Sequence, residues 1–456
     1  MSVQSQPSAK LDWCRANFQV FEKGLNSQHR GDFDGDFHRR REDALKSFLD
    51  RGFPTTKEED WRYTNVAHLT KENYGLSTPP TTPLAADFIP AHWLLNHSAA
   101  RVVFVDGTFV PSLSDLAKSP TAGVSVFTLE QLLHQGDVDK NLRQLLLSKL
   151  GGLADSERQA FDALNTAFLR DAVIVHLARG ARPTGPIESL FISTDAEKPT
   201  SSSGRVLVVL EDSAQATLSE MHFSKGTSKL LKTVTTEIYL GDNASLDHIK
   251  VINENNATDH FSSIHLDQGR DSRFRTSAFF LNAQLVRSEL LPTLNGSGGN
   301  CEMHGLTIAG GEQLVDNFTA LNHAQPHCES SQLFKGIYAG KSRGVFCGTI
   351  TVQQIAQKTN AFQKNASILL SDEATVDTKP QLKIWADDVK CTHGATVGQL
   401  DEEALFYLRS RGIARTEAQK MLVRAFADDV TSKISDEKIH EVVGRLVGER
   451  LNELHI

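Results

Sequence analysis

Near residue 170 the spacing of apolar residues changes from about 3.6 to 2, and the shorter period then persists to Gly398. Strand-like runs recur at DAVIVHLA (171–178), GRVLVVLED (204–212), TVTTEIYLG (233–241), SLDHIKVIN (245–253), SSIHLDQG (262–269) and FRTSAFFLN (274–282). Turn residues such as Gly241-Asp242-Asn243 and Asp267-Gln268-Gly269 separate them, and the later strands start at intervals of roughly 11 to 17 residues. The same alternation restarts after most turns, as in Ala244, Leu246, His248 and in Ser272, Phe274, Thr276. A chain that makes short strands at so regular a spacing must either stack them as a β-solenoid or fold them into a sandwich or jelly roll. Pattern alone does not separate the two.

The flanks have a different rhythm. Phe37 to Leu49 carries charges on one side and Ala44, Leu45, Phe48 and Leu49 on the other, a helix ended by Gly52 and Pro54. A Pro/Thr linker follows at LSTPPTTPLAAD (76–87), then a hairpin at RVVFVDGTFV (101–110) turning on Asp106-Gly107, then helical patterning from Leu129 to Leu150. After Gly398 helices resume. Asp401, Glu402 and Glu403 suit a helix start, Thr416-x-x-Gln419 has the form of a capping box, and a last helix begins near Ser435. This divides the chain into a mostly helical region 1–165, a β core 166–399 and a helical region 400–456. Their separate periodicities predict that the last region can be removed without unfolding the core.

At 456 residues and 39% hydrophobic content the chain has ample material for buried cores. A net charge of −8 without a basic, aromatic-interleaved patch disfavours nucleic acid as a partner, and the run Arg39–Arg41 is followed at once by Glu42 and Asp43. No apolar stretch approaches 18 residues and MSVQSQPSAKLDW has no signal-peptide core, so a cytoplasmic location is expected. Five widely spaced cysteines, with no C-x-x-C, argue for reduced thiols and against a disulfide framework.

Nucleotide and hydrolase chemistry find no support. There is no G-x-x-x-x-G-K-[ST], no G-x-S-x-G and no H-E-x-x-H, and GSGGN (296–300) reads as a flexible loop. Most of the histidines, His222, His248 and His265 among them, are expected at the surface or on a face of the solenoid. Soft-ligand chemistry remains, because four of the five thiols fall between 301 and 391 alongside His304, His323, His327 and His393. Cys391 and His393 are the first candidates: in an extended segment residues i and i+2 share a face, so thiol and imidazole project together and could share one soft metal ion, set against the simpler reading of a buried small hydrophobe and a satisfied polar residue. A second group is His323, His327 and Cys328, set against the simpler reading of a turn at Pro326 with a buried Cys. Trp61 and Tyr63 read as core anchors and Cys14 as inert.

KPQLKIWADDVKCTHGATVGQLDEEALFYLRSRGI (379–413) resembles the SufD branch of the SufB/SufD family of iron-sulfur cluster assembly scaffolds. The resemblance continues through PHCESSQLFKGIYAGKSRGVF (326–346) and AQKTNAFQKNASILLSDEATVDTKPQL (356–382), with a weaker echo at GFPTTKEEDWRYTN (52–65). It implies a mainly β fold, a right-handed parallel β-helix flanked by the two helical regions. It also implies a non-catalytic scaffold that partners SufB and the ATPase SufC, whose dock would be the carboxy-terminal helices. A transient iron-sulfur cluster would form at the SufB interface with His393, and Cys391 beside it, as ligands from this side. Flavin accompanies some such complexes, and the isolated chain is open to forming a homodimer. The rival reading is a β-solenoid or cupin-like enzyme with one mononuclear iron.

Overall fold

The computed structural model describes residues 11–26, 34–78, 84–116, 121–134 and 138–454. The amino-terminal MSVQSQPSAK and residues 79–83 of the Pro/Thr linker lie outside the described residues. The core is a β-solenoid of about eight turns. Its strands alternate between two facing sheets, so each pairs in parallel with the strand two ahead: Gln215 with Ser245, Ser245 with Arg273, Arg273 with Asn300, Asn300 with Glu329, and Glu329 with Asn360. Sandwiches and jelly rolls are antiparallel, so this register excludes them. The first sheet ends in Thr375–Ile384 and the second in Lys390–Gly398.

One corner of the solenoid is set by a ladder of left-handed residues. Ser213, Asn243, Asp271, Gly298, His327 and Lys358 all have φ between 53° and 73°. The amide of each donates to a carbonyl in the next turn, Ser213 to Asp242 at 2.8 Å, Asn243 to Arg270 at 2.7 Å and His327 to Gln357 at 2.9 Å. Ser, Asn, Asp and Gly tolerate this conformation best, which explains the polar punctuation between strands. NGSGG belongs to this corner and is a tight turn, not a flexible loop: a Cβ on Gly296 would lie 2.0 Å from the Arg270 backbone nitrogen.

Alternation sorts each strand between three apolar layers. Inward residues such as Leu218, Leu246, Phe274, Met303 and Phe334 fill the interior. Outward residues of the second sheet, including Val251, Phe279, Leu306 and Ile337, lie under helices Arg415–Thr431 and Glu437–Glu453 through Val423, Ala427, Val443 and Val447. Outward residues of the first sheet, Leu231, Phe261 and Leu285, are covered by the amino-terminal helices and by Ala160–Ala167. Each such Val, Leu or Phe contributes about 1.5–3 kcal/mol on burial, so the flanking helices form part of the core.

Several local expectations meet the structure directly. The predicted helix is Asp34–Arg51, and the hairpin pairs Ala100–Val105 with Thr108–Phe109 through positive-φ Asp106 and Gly107. That first hairpin strand also pairs in parallel with Ile187–Ser193, so the amino-terminal region starts the second sheet as well as covering the first. The capping box does not form. Its helix begins at Arg415 after Ala414, which offers no side-chain cap, and Thr416 lies within the first turn. Asp401 and Asp436 do cap their helices, each accepting two backbone amides.

Candidate functional site

The terminal strand Lys390–Gly398 pairs on one edge only, with Cys391 opposite Ala361 and His393 opposite Gln363. Its residues are almost all exposed, whereas alternate residues of the neighbouring Asn360–Leu369 are buried. Cys391 is half-buried and packs on the interior cluster, so His393, two residues on, shares the inward-facing side at the solenoid mouth. Burial pushes the Cys391 thiol up, partly offset by the Ala361 backbone amide. It is therefore held as the thiol until a metal or a nearby cation draws off the proton.

His393 crowns an inward column. Behind it Gln363, fully buried, donates from Nε2 to Gln332 Oε1 at 3.0 Å, and Gln332 also accepts from Thr319 Oγ1 at 2.9 Å. Deeper in register come Met303, Thr276 and His248, the last with Nδ1 3.0 Å from Thr276 Oγ1. Large apolar side chains are exposed on the segments next to the terminal strand, Trp385 57% exposed before it and Phe406 71% and Tyr407 57% after it. Phe406 and Tyr407 belong to helix Glu402–Ser410, which forms an open groove with Leu422 and the acids Asp401, Glu402 and Glu403. Two sheet edges with free N–H and C=O groups make a surface suited to another polypeptide.

The second candidate group is dispersed over three environments. His323 is buried with Nε2 2.9 Å from Ser330 Oγ, and burial pushes its imidazole down to about 4. His327 is an exposed member of the left-handed corner ladder. Cys328 is buried, its Sγ 3.3 Å from the Gly296 carbonyl, and burial raises its thiol. Among the described residues the one His/Cys/Asp/Glu group of three placed to share an ion lies elsewhere, at His222, Glu254 and His260 inside the solenoid. His222, His248 and His265 lie on solenoid faces and not at the surface: all three are buried, His222 and His248 within the solenoid and His265 under helix Ala160–Ala167. The alternation did place them on one face of their strands. It did not show that the solenoid interior would also hold ion pairs between segments, Lys250 with Glu220 and Lys232 with Glu254.

A cleft of about 1060 Å³ separates the amino-terminal region from the outer face of the first sheet, lined by Phe53, Trp61, Asp162, Phe261, Arg287 and Phe318. The Arg287 guanidinium stacks 4.0 Å from the Trp61 ring, which makes Trp61 a packing anchor. No helix among the described residues is long and apolar enough to cross a membrane.

Comparison with known proteins agrees with this architecture. Residues 191–426 match the family model described as SUF system FeS cluster assembly, SufBD core domain, and residues 28–188 match the SufBD protein N-terminal region. The chain is 33% identical over 410 residues to the iron-sulfur cluster assembly protein SufD of Escherichia coli, covering 89% of this chain and 91% of that one. It is 33% identical over 391 residues to an iron-sulfur cluster assembly SufBD family protein of Synechocystis, covering 84% of each. Against the SufD of Bacillus subtilis the identity is 25% over 387 residues, covering 84% of this chain and 86% of the other.

Proposed function

Because the chain belongs to the SufBD family of iron-sulfur cluster assembly proteins, we propose that it works as a SufD-like scaffold subunit that pairs with SufB and docks the ATPase SufC. In this reading Cys391 and His393 face a nascent cluster, which is cargo passed onward and not a resident cofactor. The observation that carries the proposal is the uncovered terminal strand Lys390–Gly398, whose free edge puts a thiol and an imidazole at the solenoid mouth. A partner strand added there would satisfy the edge and bring its own ligands against His393. Thiolate and imidazole are both iron ligands, and a site at a subunit boundary can open to release what it has built.

The work is divided along the chain. Residues 166–399 form the scaffold, 1–165 cover and start it, and 400–456 present the SufC dock through Phe406, Tyr407 and Met421. ATP hydrolysis belongs to SufC, and the assembly works in the cytoplasm. The names of the matched families and relatives refer to iron-sulfur clusters and not to flavin.

The test is anaerobic reconstitution of the complex formed with SufB and SufC, with iron and acid-labile sulfide measured beside gel filtration. His393→Ala should leave the complex assembled, since one side chain contributes little of a large contact, while cluster content collapses. Normal cluster content in an intact His393→Ala complex would exclude the ligand role. Iron without sulfide, bound stoichiometrically by the chain alone at Cys391 and His393, would favour a mononuclear enzyme instead.

A further inference from the structure

Deep in the solenoid, well behind the mouth, three residues from three segments converge. His222 comes from strand Gln215–Ser224 of the second sheet, Glu254 from the turn after Ser245–Asn253, and His260 from strand Thr258–Gln268 of the first sheet. One donor atom from each lies within 4.8 Å of the other two, and all three residues are at most 2% exposed. We propose that His222, Glu254 and His260 bind a single first-row divalent transition-metal ion, distinct from the cluster cargo at Cys391 and His393.

The hydrogen bonding is what favours an ion over a merely polar core. His222 Nε2 lies 2.8 Å from the Glu220 carboxylate. A carboxylate only accepts, so Nε2 carries the proton and Nδ1 keeps its lone pair, and Nδ1 has no partner. This is the arrangement in which a carboxylate fixes the tautomer and orientation of a metal-binding imidazole. Glu220 is itself held by Lys250 at 2.8 Å and by Thr236 Oγ1 at 2.9 Å. His260 has neither ring nitrogen in a hydrogen bond, and Glu254 Oε2 is likewise unpartnered while Oε1 accepts from Lys232 at 2.5 Å. Buried polar atoms normally find partners, and an orphan costs about 1–3 kcal/mol. Here unpartnered atoms occur on all three members of one group.

The donor set selects the ion. Two imidazoles and one carboxylate suit Zn²⁺, Fe²⁺ or Co²⁺, whereas Mg²⁺ and Ca²⁺ prefer all-oxygen shells. Glu220 and Glu254 are balanced by Lys250 and Lys232, so the ion must share Glu254 with an ammonium, which lowers its affinity relative to a His₂Glu site without one. The site joins both sheets across the interior, so a bound ion staples strand Gln215–Ser224 to strand Thr258–Gln268 and to the turn that precedes the latter. Because the ligands are fully buried, the ion enters while the chain folds.

The experiment uses the full chain produced in medium supplemented with Co²⁺, purified without chelator, with elemental analysis and visible absorption of the folded protein. The expected result is about one Co²⁺ per chain with ligand-field bands. His260→Gln, which keeps a polar side chain of similar reach, should lower the cobalt content at least tenfold, in line with the loss of a metal ligand. The Cys391→Ser/His393→Ala double variant should retain it fully, which separates this site from the one at the mouth. Should His260→Gln not fold, His222→Gln supplies the same comparison. A folded wild-type chain without cobalt, cobalt undiminished in folded His260→Gln or His222→Gln, or cobalt lost from the double variant would each overturn the assignment.

Discussion

Asp162 and His265 meet at 2.7 Å between helix Ala160–Ala167 and the outer face of the first sheet, and the pair is almost wholly removed from water. Asp162 also accepts from Ser263 Oγ at 2.5 Å and Thr235 Oγ1 at 2.9 Å. Burial opposes both charges. The His265 cation and these hydrogen bonds nevertheless hold the Asp162 carboxyl below its ordinary 3.8, and Asp162 holds His265 above its ordinary 6.5.

The sign of the pH dependence follows. The Asp162 contribution is fully present above pH 3.8 and is lost as pH falls through its lowered folded value. The His265 contribution is fully present below pH 6.5 and is lost as pH rises through its raised folded value. The pair therefore stabilises most between these limits. Urea unfolding across pH should show Asp162→Asn costing about 3–5 kcal/mol in that window and less at alkaline pH. A cost independent of pH would mean that the pair is not ionised.

Removal of 400–456 should destabilise the core, although separate periodicities suggest independence. It would bare Val251, Phe279, Leu306 and Ile337, which the last two helices cover. Point changes on the exposed face are the cleaner probe of the dock. Phe406→Asp with Tyr407→Ser should leave thermal unfolding unchanged within about 0.5 kcal/mol, as surface changes do, and weaken SufC capture at least tenfold in a pull-down. Undiminished capture moves the dock off helix Glu402–Ser410.

The corner ladder makes a sharp contrast between two neighbouring turns. Gly296→Ala sets a methyl 2.0 Å from the Arg270 nitrogen, and a backbone atom cannot swing aside. A loss of about 1–3 kcal/mol or more is expected, visible as a lower unfolding midpoint. His327→Gly relieves a left-handed non-glycine residue and should be neutral to slightly stabilising, with unaltered cluster content in the complex. Loss of cluster from His327→Gly would return His327 to the ligand set.

Lys250 lies 2.8 Å from Glu220, both wholly buried. Lys250→Met leaves an uncompensated carboxylate inside the solenoid, so stability should fall by about 3–5 kcal/mol. Adding Glu220→Gln to it should restore much of that loss. Failure of the second change to rescue the first would show that the two residues act separately.

Much of this architecture is legible in the residues themselves. The alternation through Leu246, Phe274 and Met303 announces inward faces, and Asp106-Gly107 announces its hairpin, because each is a local signal. The unpaired edge at Cys391 and His393 is legible only through where the alternation stops. What the sequence hides is long-range. Nothing near His222 shows that Glu254 and His260 will face it from the other side of the solenoid, and nothing near Asp162 shows that His265, a hundred residues away, will neutralise it. Thr416 misleads for a related reason: tertiary packing of Ala418 and Val423 sets where that helix starts, and it overrides the capping pattern.

The open solenoid mouth also bears on supply. Thr375–Ile384 and Lys390–Gly398 leave both sheets with a growing edge, so a surplus copy is a template as much as a subunit. A cell making this chain faster than whatever covers that edge would accumulate a sticky intermediate. On the proposed pairing, gene dosage would bear on assembly: synthesis matched to a partner would keep the edge occupied, and mismatch would leave it open to stacking of one copy on the next.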